Sequence, residues 1–205
     1  NDITVGNGKK ENFTVVASDE YTLDIKPEND GLVTLDIDAG VAVDDAGLPN
    51  VKYSDEIRYD GTPPEIVSIT TTVDDPTGEE TIPLTITFSE PVTGFSKGDL
   101  LVINGKAGTV TGSGTTYDVD ITPDGVGDGE PDEDGEITVD IAANRAFDVA
   151  GNGNLVADQF SIYFDDTPPT VELETEEESP TNADLVEITV TFSEPVTGLA
   201  ETEID

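Results

Sequence analysis

The chain contains one eight-residue phrase twice. Residues 87–94 read TFSEPVTG, and residues 191–198 read the same. Two other motifs keep nearly the same spacing: DGTPP at 60–64 returns as DDTPP at 165–169, and DDAG at 44–47 returns as DVAG at 148–151. The offsets are 191 − 87 = 104, 165 − 60 = 105 and 148 − 44 = 104 residues. A fixed spacing of this length predicts a string of similar domains.

Chain length and composition limit what each domain can be. The 205 residues suffice for one large domain or two of about 100 residues, and the repeat favours two. Hydrophobic residues make up 35% and aromatic residues only 6%, which predicts a small aliphatic core. Cysteine is absent, so no disulfide stabilises the fold. Methionine is also absent, so we expect a processed protein or an excised piece.

The charge excludes some partners and leaves two interpretations. With 8 Lys+Arg and 46 Asp+Glu, the formal net charge is −38. Such a surface repels nucleic-acid phosphates and anionic membranes, so we expect neither partner, nor insertion into a membrane. The carboxylates could hold Ca²⁺, which takes about six to eight oxygen ligands. Alternatively the surface is adapted to high salt, as in halophilic proteins, since screening reduces repulsion to within roughly 3 Å at 1 M. The two interpretations are compatible.

The hydrophobic pattern predicts an all-β fold. No stretch keeps a helical period, and short alternating runs rich in Val, Ile and Thr are broken by Gly, Asp, Asn and Pro. Seven short strands in about 100 residues predict an immunoglobulin-like β-sandwich. The predicted strands A to G of the middle unit are 65–71, 81–88, 99–103, 108–111, 116–121, 136–141 and 159–164.

The repeat predicts one complete unit flanked by two part-units. Residues 62–166 form the complete unit, residues 1–61 correspond to strands C to G, and residues 167–205 correspond to strands A and B. The two part-units together would make one more sandwich, and neither can bury its apolar face alone. Two explanations stay open. The chain is a fragment of a longer tandem array, or the C-terminal hairpin of one subunit completes the N-terminal part-unit of the next, head to tail.

Three phrases carry a family resemblance. ITVTFSEPVTG at 188–198, DVAGNGN at 148–154 and DDTPP at 165–169 together resemble bacterial Ig-like repeats, which occur in tandem in giant secreted adhesins and other surface proteins. The resemblance implies an extracellular or cell-surface stalk or fibre of β-sandwich domains, often with calcium at the domain junctions. The chain departs from the pattern in two places. The first unit lacks the asparagine found at Asn152, and the middle unit carries an acidic insertion after strand E.

The first candidate metal site lies where the linker enters the middle unit. In a seven-stranded sandwich the B–C and F–G loops share that pole. Oxygen ligands from three segments suit Ca²⁺, whereas the alternative is that these are ordinary turn residues. The candidate ligands are Asp60, Glu90, Asp99, Asp148 and Asn152.

The second junction repeats this set. Asp165, Asp166 and Glu194 would supply the linker and B–C ligands. Asp44 and Asp45 of a neighbouring subunit would supply the F–G contribution.

A further candidate is the acidic E–F loop at 124–136. Alternating carboxylates followed by Gly135 resemble the first half of a D-x-D-x-D-G calcium loop. The loop departs from that motif because Ile141 stands where the distal bidentate carboxylate would be. A disordered, solvated loop is the alternative. The candidate ligands are Asp124, Asp128, Glu130, Asp132 and Asp134.

These observations predict a structural or adhesive stalk stiffened by Ca²⁺, whose partners are copies of itself or adjacent repeats. A carbohydrate-binding β-sandwich of a surface adhesin, with host or biofilm glycans as partners, is the alternative. Such modules usually stack sugars on exposed aromatic rings, and this chain has no Trp. An enzyme is disfavoured, because there is no His and no Cys.

Overall fold

A computed structural model of the chain describes residues 2–125 and 134–200. The fold is all-β, which confirms the predicted class, and the one helical element of the described residues is a single 3₁₀ turn at Lys97–Asp99. In chain order the strands are β1 Ile3–Gly6, β2 Gly8–Val15, β3 Tyr21–Pro27, β4 Gly31–Ile37, β5 Tyr53–Tyr59, β6 Ile66–Thr71, β7 Ile82–Val92, β8 Leu100–Ile103, β9 Gly105–Ala107, β10 Thr111–Pro123, β11 Gly135–Ile141, β12 Phe160–Phe164, β13 Val171–Glu174 and β14 Thr189–Phe192.

Strands β6 to β12 form a two-sheet sandwich. One sheet has the order β6-β7-β10-β9 and the other β12-β11-β8, and every pairing is antiparallel. This is the A-B-E-D and G-F-C arrangement of a seven-stranded Ig-like sandwich. Alternate residues of the strands point inward because the side-chain period of a strand is two. The buried core consists of Ile82, Leu84, Ile86, Phe88, Val92, Phe95, Tyr117, Val119, Ile121, Ile137, Val139, Ile141, Ala146, Ile162 and Phe164.

An aromatic cluster fills the end of this core that faces the preceding linker. Phe88, Phe95 and Tyr117 meet edge to face, with ring centroids 5.4 to 5.7 Å apart. The Tyr117 hydroxyl donates a hydrogen bond of 2.8 Å to the carbonyl of Val92. The ring is therefore buried without leaving its polar group unsatisfied.

Strands β1 to β5 form two smaller sheets, β1-β4-β5 and β2-β3. The first sheet matches β8-β11-β12, and the second matches β9-β10. The inner face of the sheet β1-β4-β5 is only partly covered: Val33 is 3% exposed, but its neighbour across the sheet, Ile57, is not buried. Ile57 is 70% exposed, although the residue at the matching position of the middle unit, Ile162, is 2% exposed. The residues of β1 to β5 include no counterpart of β6 and β7, so the part of this face around Ile57 stays exposed.

Strands β13 and β14 form a two-stranded hairpin that matches β6 and β7. Ser193 accepts a hydrogen bond from the Thr170 amide, as Ser89 does from Glu65. Its apolar residues are largely exposed. The division of the chain into one complete unit and two part-units stays a prediction.

The predicted position of strand D is wrong. The prediction was 108–111, and the structure places β9 at Gly105–Ala107. Asn104 has a positive φ of 57°, so the chain turns immediately after β8. Pairing with β10 therefore begins at Gly105, which lies opposite Pro123. Asparagine tolerates this left-handed conformation better than most residues. Strand β10 is also longer than the predicted 116–121.

The difference between the closed and the open core can be measured with one substitution at matching positions. In the monomeric chain, Ile162→Ala should lower the unfolding free energy of the middle unit by about 2–5 kcal/mol, because it leaves a cavity. Ile57→Ala should cost less than about 0.5 kcal/mol, because the side chain is already solvated. Urea unfolding followed by circular dichroism, with amide exchange in β4 and β11, measures both. Equal costs at the two positions would contradict an open first segment.

Candidate metal centre at the linker

The linker before the middle unit is held in a fixed path. The Asp60 carboxylate accepts a hydrogen bond from the Thr62 amide at 3.3 Å, which is an Asx-type turn. Pro63 and Pro64 follow, and each ring fixes a φ angle. Pro64 is fully buried, and its carbonyl accepts a 2.9 Å hydrogen bond from the Leu155 amide of the loop between β11 and β12. The linker is thus attached to the middle unit at its entry.

Asn154 shapes the loop between β11 and β12, called here the F–G loop. Its buried amide accepts hydrogen bonds from the amides of Arg145 and Ala146 and donates to the carbonyls of Ala142 and Leu155. Asn50 in the first segment, 154 − 50 = 104 residues earlier, bonds to matching backbone groups. The second asparagine of the phrase at 148–154 is therefore structural.

Asp148 lies in a tight turn of the same loop. Its Oδ1 accepts the Asn152 backbone amide at 2.8 Å, and its Oδ2 accepts the Asn152 side-chain amide at 2.8 Å. The same Nδ2 donates to the Asp60 carbonyl at 3.0 Å. Asn152 therefore joins the F–G loop to the linker. Gly151 has a φ of +94°, a conformation that favours glycine.

Glu90 completes a group of three carboxylates. It lies near the end of β7, next to Ser89, whose backbone amide donates to the Glu65 carbonyl at 2.8 Å. Asp60, Glu90 and Asp148 each offer a carboxylate oxygen, and these oxygens all lie within 4.8 Å of one another. Within residues 2–125 and 134–200 this is the one group of acidic residues with such geometry. The group joins the linker, β7 and the F–G loop.

The electrostatics of this group disfavour three ionised carboxylates. Burial raises the pKa of Glu90, and the charges of Asp60, Asp148 and Asp30 raise it further. Two unit charges 4.8 Å apart repel by about 1 kcal/mol in water and by about 3.5 kcal/mol at an effective dielectric constant of 20. Ionised Glu90 therefore costs stability at neutral pH, and this cost disappears as the pH falls through the raised pKa. A bound cation would remove the same cost.

The pKa of Asp148 is shifted in the opposite direction from that of Glu90. Burial of its carboxyl group opposes ionisation, but hydrogen bonds outweigh it and lower the pKa of Asp148. The donors are the Asn152 side chain and the backbone amides of Asn152, Gly151 and Ala150. Ionised Asp148 therefore stabilises the loop at neutral pH, and this contribution is lost as the pH falls through the lowered pKa. The Asp148 side chain lies beside the linker and is 5% exposed.

Asp30 is a member of this site that the sequence reasoning missed. Its carboxylate accepts the Gly61 amide at 2.7 Å and the Thr62 hydroxyl. The Thr62 hydroxyl, with the Gly61 amide second, lowers the pKa of Asp30. The repeat contained a signal: Asp30-Gly31 precedes Asp134-Gly135 by 134 − 30 = 104 residues. Asp134 likewise accepts the Asp166 amide of the second linker, at 3.2 Å.

Two of the predicted ligands make hydrogen bonds to protein groups. Asp99 is not in the group of three, because its Oδ2 accepts the Ser96 amide at 2.9 Å and the Ser96 hydroxyl at 2.8 Å. It caps the 3₁₀ turn. Asn152 was predicted as an oxygen ligand, and the structure uses its amide nitrogen as a donor to the Asp148 carboxylate and the Asp60 carbonyl.

The residues predicted at the second junction repeat part of the first. Asp165 accepts the Thr167 amide at 3.3 Å, as Asp60 accepts that of Thr62. Asp44 accepts the amides of Ala46 and Leu48 at 2.9 and 2.8 Å. Leu48 stands where the middle unit has Asn152, so this turn has no side-chain amide to reach a linker. In the described part of the chain, Asp44, Asp45, Asp165, Asp166 and Glu194 do not form a group like that of Asp60, Glu90 and Asp148.

The acidic E–F loop is described only at its edges. Asp124 forms an ion pair of 3.1 Å with Lys106, and Asp134 contacts the second linker. Asp128, Glu130 and Asp132 lie outside the described residues.

The fold and the linker site define a class: a seven-stranded Ig-like sandwich preceded by a linker that contains two prolines. The model of the bacterial Ig-like domain matches residues 60–163, which is more than half of the chain. The chain belongs to this family. No match was found among curated proteins or among solved structures. Domains of this family are often surface-exposed, and Ig-like all-β folds are typically non-enzymatic. Among residues 2–125 and 134–200, no helix has the length and apolarity needed to span a bilayer.

The contribution of Asn152 to the site can be tested by one substitution. Asn152→Ala removes the side-chain donor to Asp148, so the pKa of Asp148 should rise towards its usual value. Carbon-detected NMR titration of the carboxyl groups measures this pKa. Asp36 is the internal control, because the Ser54 hydroxyl lowers its pKa in the first segment and that contact is untouched. An unchanged pKa of Asp148 would show that the backbone amides alone hold the anion.

Proposed function

We propose that the chain is a structural module of a bacterial surface stalk, and that Ca²⁺ bound at the linker stiffens it. The observation that carries the proposal is the group of Asp60, Glu90 and Asp148. Each carboxylate comes from a different segment, so one ion would join the linker to two parts of the sandwich. The family and the all-β fold support the structural role.

The donor set suits calcium in its chemistry. Ca²⁺ prefers carboxylate and carbonyl oxygens and accepts irregular geometry with about six to eight ligands. Three carboxylates can supply up to six oxygens when each binds through both. Burial raises the pKa of Glu90, and the negative charges of Asp60, Asp148 and Asp30 raise it further. A divalent ion would supply the missing positive charge.

Asp30 would transmit the effect of the ion to the preceding segment. It belongs to the turn between β3 and β4, and it holds Gly61 and Thr62 of the linker. Asn152 holds Asp60 from the other side. The linker is therefore bonded to both flanking segments. With the ion bound at Asp60, bending of the linker would disrupt ion contacts and hydrogen bonds together.

Calcium should change both stiffness and stability. We expect small-angle scattering to give a longer, more uniform particle with Ca²⁺ than after chelation. Saturation at about 100 times the dissociation constant should stabilise the protein by roughly 2.7 kcal/mol. Mg²⁺ at equal concentration is the control for screening, because it carries the same charge but demands a smaller octahedral site. Equal responses to both ions would favour general salt adaptation. Identical scattering with and without calcium would refute the proposed stiffening.

A matched pair of substitutions locates the effect. Asp148→Ala should abolish the calcium-dependent stiffening, while amide exchange in β7 and β11 stays protected. Asp44→Ala changes the matching turn of the first segment, which has no described linker beside it, and should leave the response of the monomer intact. Scattering of both variants with Ca²⁺ and with chelator is the measurement. A normal calcium response in Asp148→Ala would place the ion elsewhere.

We propose a second function on a separate observation, which is head-to-tail association. The first segment has sheets corresponding to C-F-G and E-D, and the last segment has a hairpin corresponding to A-B. The hairpin of one copy would cover the open inner face of another. Such a heterologous contact repeats without closing and makes a filament.

Electron microscopy of the purified chain, at concentrations from micromolar upward, tests this association. We expect linear polymers whose length grows with concentration. Monodisperse monomers at every concentration, with and without Ca²⁺, would refute head-to-tail association. This result would not contradict the calcium proposal.

A further inference from the structure

We infer that the middle unit carries tension between its two linkers, and that a parallel strand contact between Thr77 and Phe164 resists its extension. This inference rests on the stalk role proposed above, because a stalk module is pulled at both ends. The resistance itself needs no bound ion. It follows from the direction in which tension reaches this contact.

The two linkers contact opposite ends of the middle unit. The first linker is bonded to the F–G loop, because the Asn152 side chain donates to the Asp60 carbonyl at 3.0 Å. The second linker is bonded to the E–F loop, where Asp134 accepts the Asp166 amide at 3.2 Å. Strand β11 follows the E–F loop and precedes the F–G loop, so these loops lie at its opposite ends. Tension applied through the linkers therefore acts along the strands.

The loop between β6 and β7 pairs with the second sheet close to the point where the chain leaves the unit. Thr77 forms a parallel bridge with Phe164 of β12. The Thr77 amide donates to the Tyr163 carbonyl at 2.9 Å, and the Thr77 carbonyl accepts the Asp165 amide at 3.0 Å. The Asp75 carboxylate accepts the Tyr163 amide at 3.0 Å. These three hydrogen bonds are called here the exit clamp.

The exit clamp is closely packed. Thr77 is 6% exposed and Phe164 is 1% exposed, so the contact between them is largely shielded from water. A Cβ atom at Gly78 would lie 3.1 Å from the Asp165 carbonyl oxygen, so the loop lies directly against the departing chain. The Thr77 hydroxyl accepts the Glu79 amide at 3.2 Å, which fixes the turn after the contact. Thr77 is therefore held in the position that its bonds to β12 require.

Tension loads the exit clamp in shear. The first linker pulls β6 from its N-terminal end, and the second linker pulls β12 from its C-terminal end. Because Thr77 and Phe164 lie on parallel segments, these pulls slide them past each other along the strand direction. Hydrogen bonds between strands run mainly across that direction, so the bonds of the clamp must break together. Each bond should then slow unfolding under load by about fivefold.

The turn that presents Thr77 occurs again in the last segment. Thr181 stands 181 − 77 = 104 residues after Thr77, and each of the two threonines follows a proline. The Thr181 hydroxyl accepts the Ala183 amide at 3.1 Å, as the Thr77 hydroxyl accepts that of Glu79. This turn therefore belongs to the repeated sequence and not to the middle unit alone.

Two pulling geometries on the full chain test the inference, because the chain has no cysteine to interfere with engineered attachment points. Thr62→Cys with Thr167→Cys, one in each linker, would pull along the strands. Thr62→Cys with Asp158→Cys would separate two points at the F–G pole, so the strands would peel one bond at a time. At one constant load in optical tweezers, unfolding along the strands should be slower by about tenfold or more. Equal rates in the two geometries, or slower peeling, would overturn the inference.

Substitutions at Asp75 separate the clamp from ordinary stability. Asp75→Ala removes one of the three bonds and should speed unfolding along the strands by about fivefold, with the peeling rate nearly unchanged. Asp75→Asn keeps an oxygen acceptor and should restore the parental rate. Equal acceleration by Asp75→Ala in both geometries would show an ordinary loss of stability and would contradict the clamp.

The matched control is Asp118→Ala. It removes a side-chain contact of 2.8 Å with Thr85 between β7 and β10, neither of which joins a linker, and should leave the rate along the strands nearly unchanged. Acceleration as large as that of Asp75→Ala would refute the assigned position of the clamp. All rates are measured with a chelator present, so a failure of the calcium proposal would not alter these outcomes.

Discussion

The structure depends on the need to cover the apolar inner face of one β-sheet with a second sheet. In the middle unit β7 meets this need. Its inward residues Ile82, Leu84, Ile86 and Phe88 are buried, and β10 binds along its edge. The first segment has the same strand chemistry without a counterpart of β7, and Ile57 stays in solvent. The face of the first segment is therefore covered only in part, with Val33 buried and Ile57 exposed.

The linker site has a different physical basis, which is the balance between hydrogen bonds and repulsion. Asn152 and three backbone amides stabilise the charge of Asp148, and Asp30 is stabilised by Thr62 and Gly61. The pKa of Glu90 is raised by burial and by its acidic neighbours, and no hydrogen-bond donor is among the groups that shift it. Around the linker, Asp30 and Asp148 therefore have lowered pKa values, whereas Glu90 has a raised one.

The repeat made much of the fold predictable from the sequence. The members of the site were harder to predict, because they depend on contacts between side chains. The spacing of 104 residues and the alternation of apolar residues placed β7, β11 and β12 within a few residues. Strand β9 was misplaced because a single asparagine with positive φ reverses the chain earlier than propensity suggests. Asp60, Glu90 and Asp148 were named from loop positions alone. Asp99 was named on the same grounds, but it lies outside that group and its carboxylate accepts hydrogen bonds from Ser96.

The sequence by itself determined the class of fold and the sandwich pole at which acidic residues gather, because strand alternation and repeat spacing are properties of the chain. Only the tertiary structure decided which of these residues meet. It placed Asp30 against the linker from a distant turn, joined the amide nitrogen of Asn152 to Asp60 and Asp148, and placed Asp99 in a local cap. The reason is that hydrogen-bond partners and distances of a few ångströms depend on how separate segments fold together, and no local pattern encodes them.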